Sequence, residues 1–167
     1  NAAVLAILAM LDRGIRRIYY VDIDAHHGDG VQDAFQHDDR VFTVSVHEQA
    51  RWPFTGDVED RAGGAARNLP VPSGMTDPEM DAIREEVLLP LGRAFAPEAV
   101  VLLTGADALA DDPLSRQMLS NRAIWRVVRD VMGLAPRLLV LGGGGYNPWS
   151  VGRCWAGVWA TLNGFDP

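Results

Sequence analysis

Apolar positions along the chain change period several times, and each change marks an element. Ala3, Val4, Ile7, Leu8 and Leu11 recur at helical spacing, with Gly14 placed to close the helix. Ile18-Tyr19-Tyr20-Val21 is a short unbroken apolar run, which predicts a buried strand over 18–24. Val31 to Phe35 reads as a short helix, and Val41 to His47 alternates with β-branched residues as a second strand. From 48 to 74 the periodicity dissolves into proline, glycine and charge, with Trp52-Pro53-Phe54-Thr55-Gly56-Asp57 inside it. A loop of that length in a compact domain is commonly functional.

Thr76-Asp77-Pro78-Glu79 is a capping box with proline in the first turn, opening a helix that carries Met80, Ile83, Val87, Leu88 and Leu91. Pro90 is expected to kink or end it. Ala99 to Leu103 is a continuous apolar run, as for a strand buried on both faces. Ser120 to Val131 is a helix with Ile124, Val127, Val128 and Val131 inward, and Leu138 to Leu141 is predicted as a last buried strand. Gly142-Gly143-Gly144-Gly145-Tyr146 follows it, then a tryptophan-rich amphipathic helix over 149–162. Strands alternating with helices predict an α/β fold, a mostly parallel sheet flanked by helices.

Composition narrows the function classes. The 167 residues suit one domain with a real core, and 48% hydrophobic with 22% charged residues is ordinary for a soluble globular protein. A net charge of −7 argues against a general nucleic-acid binder and is compatible with a basic substrate. Cys154 is the only cysteine, so no disulfide framework exists and a reducing, cytoplasmic setting is expected. The apolar start over 2–11 is too short to span a membrane and has no basic flank before it, so neither a membrane span nor a signal peptide is expected.

The chemistry begins where the first strand ends, in Asp22-Ile23-Asp24-Ala25-His26-His27-Gly28-Asp29-Gly30. Carboxylates are poor strand formers and costly to bury. One of them alone would be an ordinary polar strand end running into an Asx-Gly loop; several together call for a common purpose. Extended backbone points Asp22, Asp24 and His26 to one side, and Asp and His are both zinc ligands. In open parallel sheets, sites form beyond the carboxyl ends of strands. Asp107 stands there after the third strand, as a third ligand that leaves a position open for water. Tyr146, behind the glycine run, is placed to hydrogen-bond a developing oxyanion. Alone, Asp107 reads equally as a loop aspartate and Tyr146 as a ring at a loop edge.

The nine-residue stretch, Gly105-Ala106-Asp107 and Gly142–Tyr146 together resemble the zinc-dependent histone deacetylase family, including its bacterial acetoin-utilisation branch, in order and spacing. The resemblance implies an arginase/deacetylase-like fold and hydrolysis of acetyl-lysine, on a protein or peptide, or of a related acylamide. It implies Zn2+ (or Fe2+) on Asp24, His26 and Asp107, with Tyr146 polarising the acyl carbonyl and Asp22 and Asp29 supporting a catalytic histidine pair. A structural K+ would sit on Asp22, Asp24, His26, Ser45 and Val46, with a fainter second monovalent site near Phe35 and Val41. Trp52 and Gly144 would contact substrate, although Phe54 stands where the family usually has glycine. The family's tandem catalytic histidines lie upstream of the position matching Asn1; the four histidines here are His26, His27, His37 and His47. The expectation is therefore one partial catalytic domain over 1–167, N-terminally incomplete, holding the metal site without the general base.

Four other readings compete. An acetylpolyamine amidohydrolase shares the motif, and a non-catalytic zinc- or acyl-lysine-binding domain suits the missing histidines. An arginase-type ureohydrolase with two metals would need a second Asp-x-Asp pair, but Ala108 and Leu109 follow Asp107. A phosphate-binding loop fits poorly, because the glycine run lacks a Lys-Ser/Thr ending.

Overall fold

A computed structural model describes every residue from Asn1 to Pro167. The strands are β1 (Ile18–Asp22), β2 (Val41–Glu48), β3 (Ala66–Val71), β4 (Ala99–Thr104) and β5 (Leu138–Gly142). The helices are α1 (Ala2–Asp12), α2 (Asp29–Phe35), α3 (Asp77–Ile83), α4 (Leu89–Phe95), α5 (Asn121–Val131) and α6 (Pro148–Leu162). All five strands lie in one parallel sheet, in the order β3-β2-β1-β4-β5. The chain steps outward from β1 to β3, then returns to the other side of β1 for β4. The strand order therefore reverses between β1 and β4, and a crevice opens beyond their carboxyl ends.

Alternation along the buried strands sorts side chains onto two layers. Tyr19 and Val21 join Val100 and Leu102 in a core of 23 buried residues under Met80, Leu88, Ile124, Val127, Val128, Val131, Cys154 and Val158. Ile18, Tyr20 and Val101 face a smaller cluster of 9, closed by Ala3, Ile7 and Leu11 of α1 and by Val31 and Phe35 around α2. The layer with α5 and α6 thus carries most of the apolar burial. Truncating Ile124, which is fully buried in it, to alanine would cost about 2–5 kcal/mol.

Three local expectations change in the folded chain. The segment 48–74 contains β3, which Arg67, Asn68 and Pro70 hide from any alternation rule. Pro70 is tolerated there because β3 is an edge strand, with one side that needs no donor. Its counterpart β5 is half-buried, not fully buried, since the opposite edge has β4 as its only neighbour. Pro90 does not end its helix. A π-helical turn over Arg84–Leu88 joins α3 to α4, and Pro90 falls in the first turn of α4, where a missing N–H costs little. No helix is long and apolar enough to cross a membrane.

Candidate metal centre

β1 and β4 run side by side, with Asp22 opposite Leu103, and both lead into turns at the same end. β1 stops at Asp22, two residues before the predicted end, because Asp22 Oδ1 accepts the Asp24 N–H at 3.0 Å and folds the chain over. Asp24 Oδ1 then accepts the His26 N–H at 2.9 Å. After β4, Asp107 sits in a 3-10 turn (Ala106–Ala108), fully buried, with its Oδ1 accepting the Ala25 N–H at 3.0 Å.

These turns bring Asp24, His26 and Asp107 together, each offering one ligand atom within 4.8 Å of the others. His26 Nδ1 lies 3.0 Å from Asp24 Oδ1 and 2.9 Å from Asp107 Oδ2. One ring nitrogen carries one hydrogen, so it cannot satisfy two carboxylates; a cation among the three serves them all. The electrostatics say the same. Hydrogen bonds to the Asp107 and then the Asp24 carboxylate raise His26 to about 10, because the two carboxylates call for positive charge among them, whether a proton or a metal ion supplies it. Burial pushes Asp107 up. Burial also acts to raise Asp24, but hydrogen bonds from His26 and the Gly144 N–H bring it below the usual carboxylate range. Two carboxylates and one imidazole nitrogen, with His26 about a quarter exposed on its side chain, suit Zn2+ and also Fe2+, with room for further ligands.

Asp22 does not join this trio. Its Oδ2 accepts the Tyr20 hydroxyl at 2.6 Å, and burial raises it to about 7. Ser45 pairs with Asp22 across β1 and β2, and its hydroxyl is 3.3 Å from the Gly28 N–H, so Asp22, Ser45 and Val46 share one corner of the sheet. Phe35 and Val41 pack together in the smaller cluster. Asp29 opens α2 and accepts the Gly30 N–H at 2.6 Å. Asp22, Asp24, His26, Asp29 and Gly143 line one concavity of about 200 Å³.

The glycine run approaches the candidate ligands themselves. Gly144 N–H donates to Asp24 Oδ2 at 2.6 Å, and a Cβ on Gly144 would overlap the Asp107 carboxylate. Tyr146 is half-exposed, and Asp107 and Asp24 help to raise its pKa, after burial. Its backbone N–H donates to Asp112 Oδ2 at 2.7 Å, and Asp112 Oδ1 accepts the Leu114 N–H at 2.8 Å. Sequence reasoning missed Asp112, since nothing in Asp111-Asp112-Pro113 separates it from an ordinary turn.

Histidines beside the site are committed elsewhere. His27 Nδ1 is 2.8 Å from Thr55 Oγ1 and its Nε2 is 3.2 Å from Gln32 Oε1. His47 Nε2 donates to the Gly56 carbonyl at 3.0 Å, and its Nδ1 is 2.9 Å from Ser45 Oγ. Burial, and then His27, push His47 down to about 4. His37 is exposed. Trp52 and Phe54 are 69% and 71% exposed, in edge-to-face contact at 6.1 Å.

Residues 1–162 match the family model described as the histone deacetylase domain. The chain belongs to the histone deacetylase family. It is 42% identical over 161 residues to the putative histone deacetylase 2 of Caenorhabditis elegans, covering 93% of this chain and 32% of that protein. Histone deacetylase 8 of Xenopus laevis is 40% identical over 170 residues, covering 98% of this chain and 52% of the relative. The crystal structure of an HDAC homolog from Aquifex aeolicus superposes with a TM-score of 0.89 at 34% identity, over 99% of this chain and 46% of that one. The chain thus spans between about a third and a half of the length of these relatives. The family's parallel sheet flanked by helices is the fold described above.

Proposed function

We propose that this chain supplies the metal-holding part of a zinc-dependent deacetylase that hydrolyses an acetyl-lysine side chain, or a related acylamide. The observation that carries the reading is the convergence of Asp24, His26 and Asp107 from two adjacent strand ends onto one ligand-sized space. A zinc ion held there supplies Lewis acidity toward an acyl carbonyl and makes water more acidic. Fe2+ suits the same donors.

The remaining work falls to the chain. The Tyr146 hydroxyl, half-exposed beside the acidic trio, donates a hydrogen bond to the carbonyl oxygen as negative charge develops there. Gly144 leaves room for the Asp107 carboxylate, with which any side chain there would collide, and its backbone would contact substrate beside it. Trp52 offers an exposed ring to the methylenes of an acylated lysine. Asp22, Ser45 and Val46 with the Asp24 and His26 segment form the corner for a structural K+. Asp22 and Asp29 face the concavity, where they would hold a pair of histidines.

A second reading, a zinc- and acyl-lysine-binding module without turnover, is favoured by one observation. His27 and His47 are committed to Thr55, Gln32, Ser45 and Gly56, and neither is free to act as a base. The net charge of −7 suits a cationic substrate such as an acetylpolyamine as well as a lysine-rich peptide.

The test is a chimera in which these residues replace the matching segment of a full-length relative. Zinc-dependent hydrolysis of an acetyl-lysine peptide is expected. Zinc binding without hydrolysis would favour the binding module, and preference for an acetylpolyamine would reassign the substrate.

A further inference from the structure

Two loops adjoin the candidate metal centre through the chain: 49–56, with Trp52 and Phe54, follows β2, whose last residue bonds to Ala25, and 110–117, with Leu114, follows the Asp107 turn. One ion pair joins them. Glu48, the last residue of β2, is 5% exposed. It accepts both Arg51 Nε at 2.7 Å and Arg51 Nη2 at 2.8 Å, a two-pronged pairing. The third guanidinium nitrogen, Arg51 Nη1, crosses to the Leu114 carbonyl at 2.5 Å. Glu48 Oε2 also accepts the Arg116 N–H at 2.9 Å. One carboxylate therefore holds the loop that bears Trp52 and, directly and through Arg51, the loop that bears Leu114.

The pair is anchored to the metal-bearing segments. Glu48 N–H donates to the carbonyl of Ala25, between Asp24 and His26, at 3.0 Å. On the other loop, the Ser115 hydroxyl donates to the Asp107 carbonyl at 2.5 Å. Trp52, Phe54 and Leu114 are 69%, 71% and 50% exposed, so apolar packing does not fix where they stand. An ion pair at a strand end is a weak source of stability, but it is a good source of geometry. A planar guanidinium spans two acceptors that a single ammonium cannot.

We propose that Glu48 and Arg51 are positioning residues that clamp the Trp52 and Leu114 loops at a fixed separation, and so set the fit of the acylated lysine side chain between them. The inference rests on the deacetylase reading of the site.

The experiment uses the 167-residue chain loaded with one equivalent of zinc. An Nε-acetyl-lysine peptide is titrated into the wild type, Arg51→Lys, Glu48→Gln and the double variant, and zinc affinity and melting temperature are measured in parallel. Arg51→Lys keeps its charge beside Glu48 but has one nitrogen, so the link to Leu114 is lost even where the fold is untouched. Peptide affinity is expected to fall about five- to tenfold in each single variant, the cost of ordering loose side chains on binding. The double variant is expected to fall no further, because both changes open one clamp. Zinc affinity stays unchanged. Wild-type peptide affinity in both single variants overturns the clamp and leaves the deacetylase reading standing. Losses that track zinc affinity or melting temperature make the pair merely structural and also overturn it. A zinc-loaded wild type that binds no acetyl-lysine peptide overturns both.

Discussion

Nδ1 of His26 lies 2.9 Å from Oδ2 of Asp107, although 81 residues separate them in the chain. The contact exists because β1 and β4 are neighbours in the sheet, and each turns at the same end. It defines the site and makes its ligand set testable.

Asp107→Ala removes a fully buried member of the proposed ligand set. The wild-type chain is expected to bind one zinc, and the variant to bind it at least about a hundredfold more weakly, since loss of even supporting partners costs 10- to 100-fold. Competition with a chromogenic chelator measures both. Unchanged stoichiometry and affinity would sink the assignment.

Gly144→Ala places a methyl group into the Asp107 carboxylate. It should destabilise the fold by about 1–3 kcal/mol and weaken zinc binding. Gly152, in α6, has open space where a Cβ would stand, with no atom within 4 Å, so Gly152→Ala should stabilise by about 0.5–1 kcal/mol. Denaturant titration of the two variants gives opposite signs if the close approach is real, and like signs if it is not.

Tyr146→Phe, made in the catalytically complete chimera, removes the proposed oxyanion donor while keeping the ring. kcat should fall about 10²–10³-fold with little change in substrate affinity. Near-normal turnover would leave Tyr146 as a rim aromatic held by Asp112.

His47 is buried and held neutral, its pKa lowered from 6.5 to about 4. Between those values the unfolded chain binds a proton that the folded chain refuses, so stability is present above about pH 6.5 and declines as pH falls. The decline attributable to His47 approaches ~3 kcal/mol near pH 4, taken at about 1.4 kcal/mol per pH unit. Denaturation of wild type and His47→Gln across this range should show a flatter acid limb in the variant. Parallel limbs would mean that His47 is protonated in the folded state.

The 167-residue chain with zinc is expected not to hydrolyse an acetyl-lysine peptide, because His27 and His47 are bonded within the protein and no histidine pair stands over the ligands. Turnover above that of free zinc ions would show that such a pair is dispensable.

Much of this protein follows from the sequence by itself, wherever the cause lies among neighbours in the chain. Thr76 and Glu79 cap α3 through bonds of 2.6 and 2.8 Å, three residues apart. The apolar runs at Ile18 and Ala99 mark buried strands, and the motif from Asp22 to Gly30 marks the candidate site. Asp107 and Tyr146 were legible as candidates because ligands in parallel sheets gather at carboxyl ends of strands. Tertiary structure decided the rest. It made a strand of Ala66–Val71 by pairing it with β2, against the local pattern of Arg67, Asn68 and Pro70. It drew Asp22 away from the metal trio toward Tyr20, and set Gly144 against Asp24 across 120 residues. It also gave Asp112, Glu48 and Arg51 their partners. Alternation and capping act over a few residues, whereas a buried charge settles where the sheet order brings it a partner, and that order is a property of the whole fold.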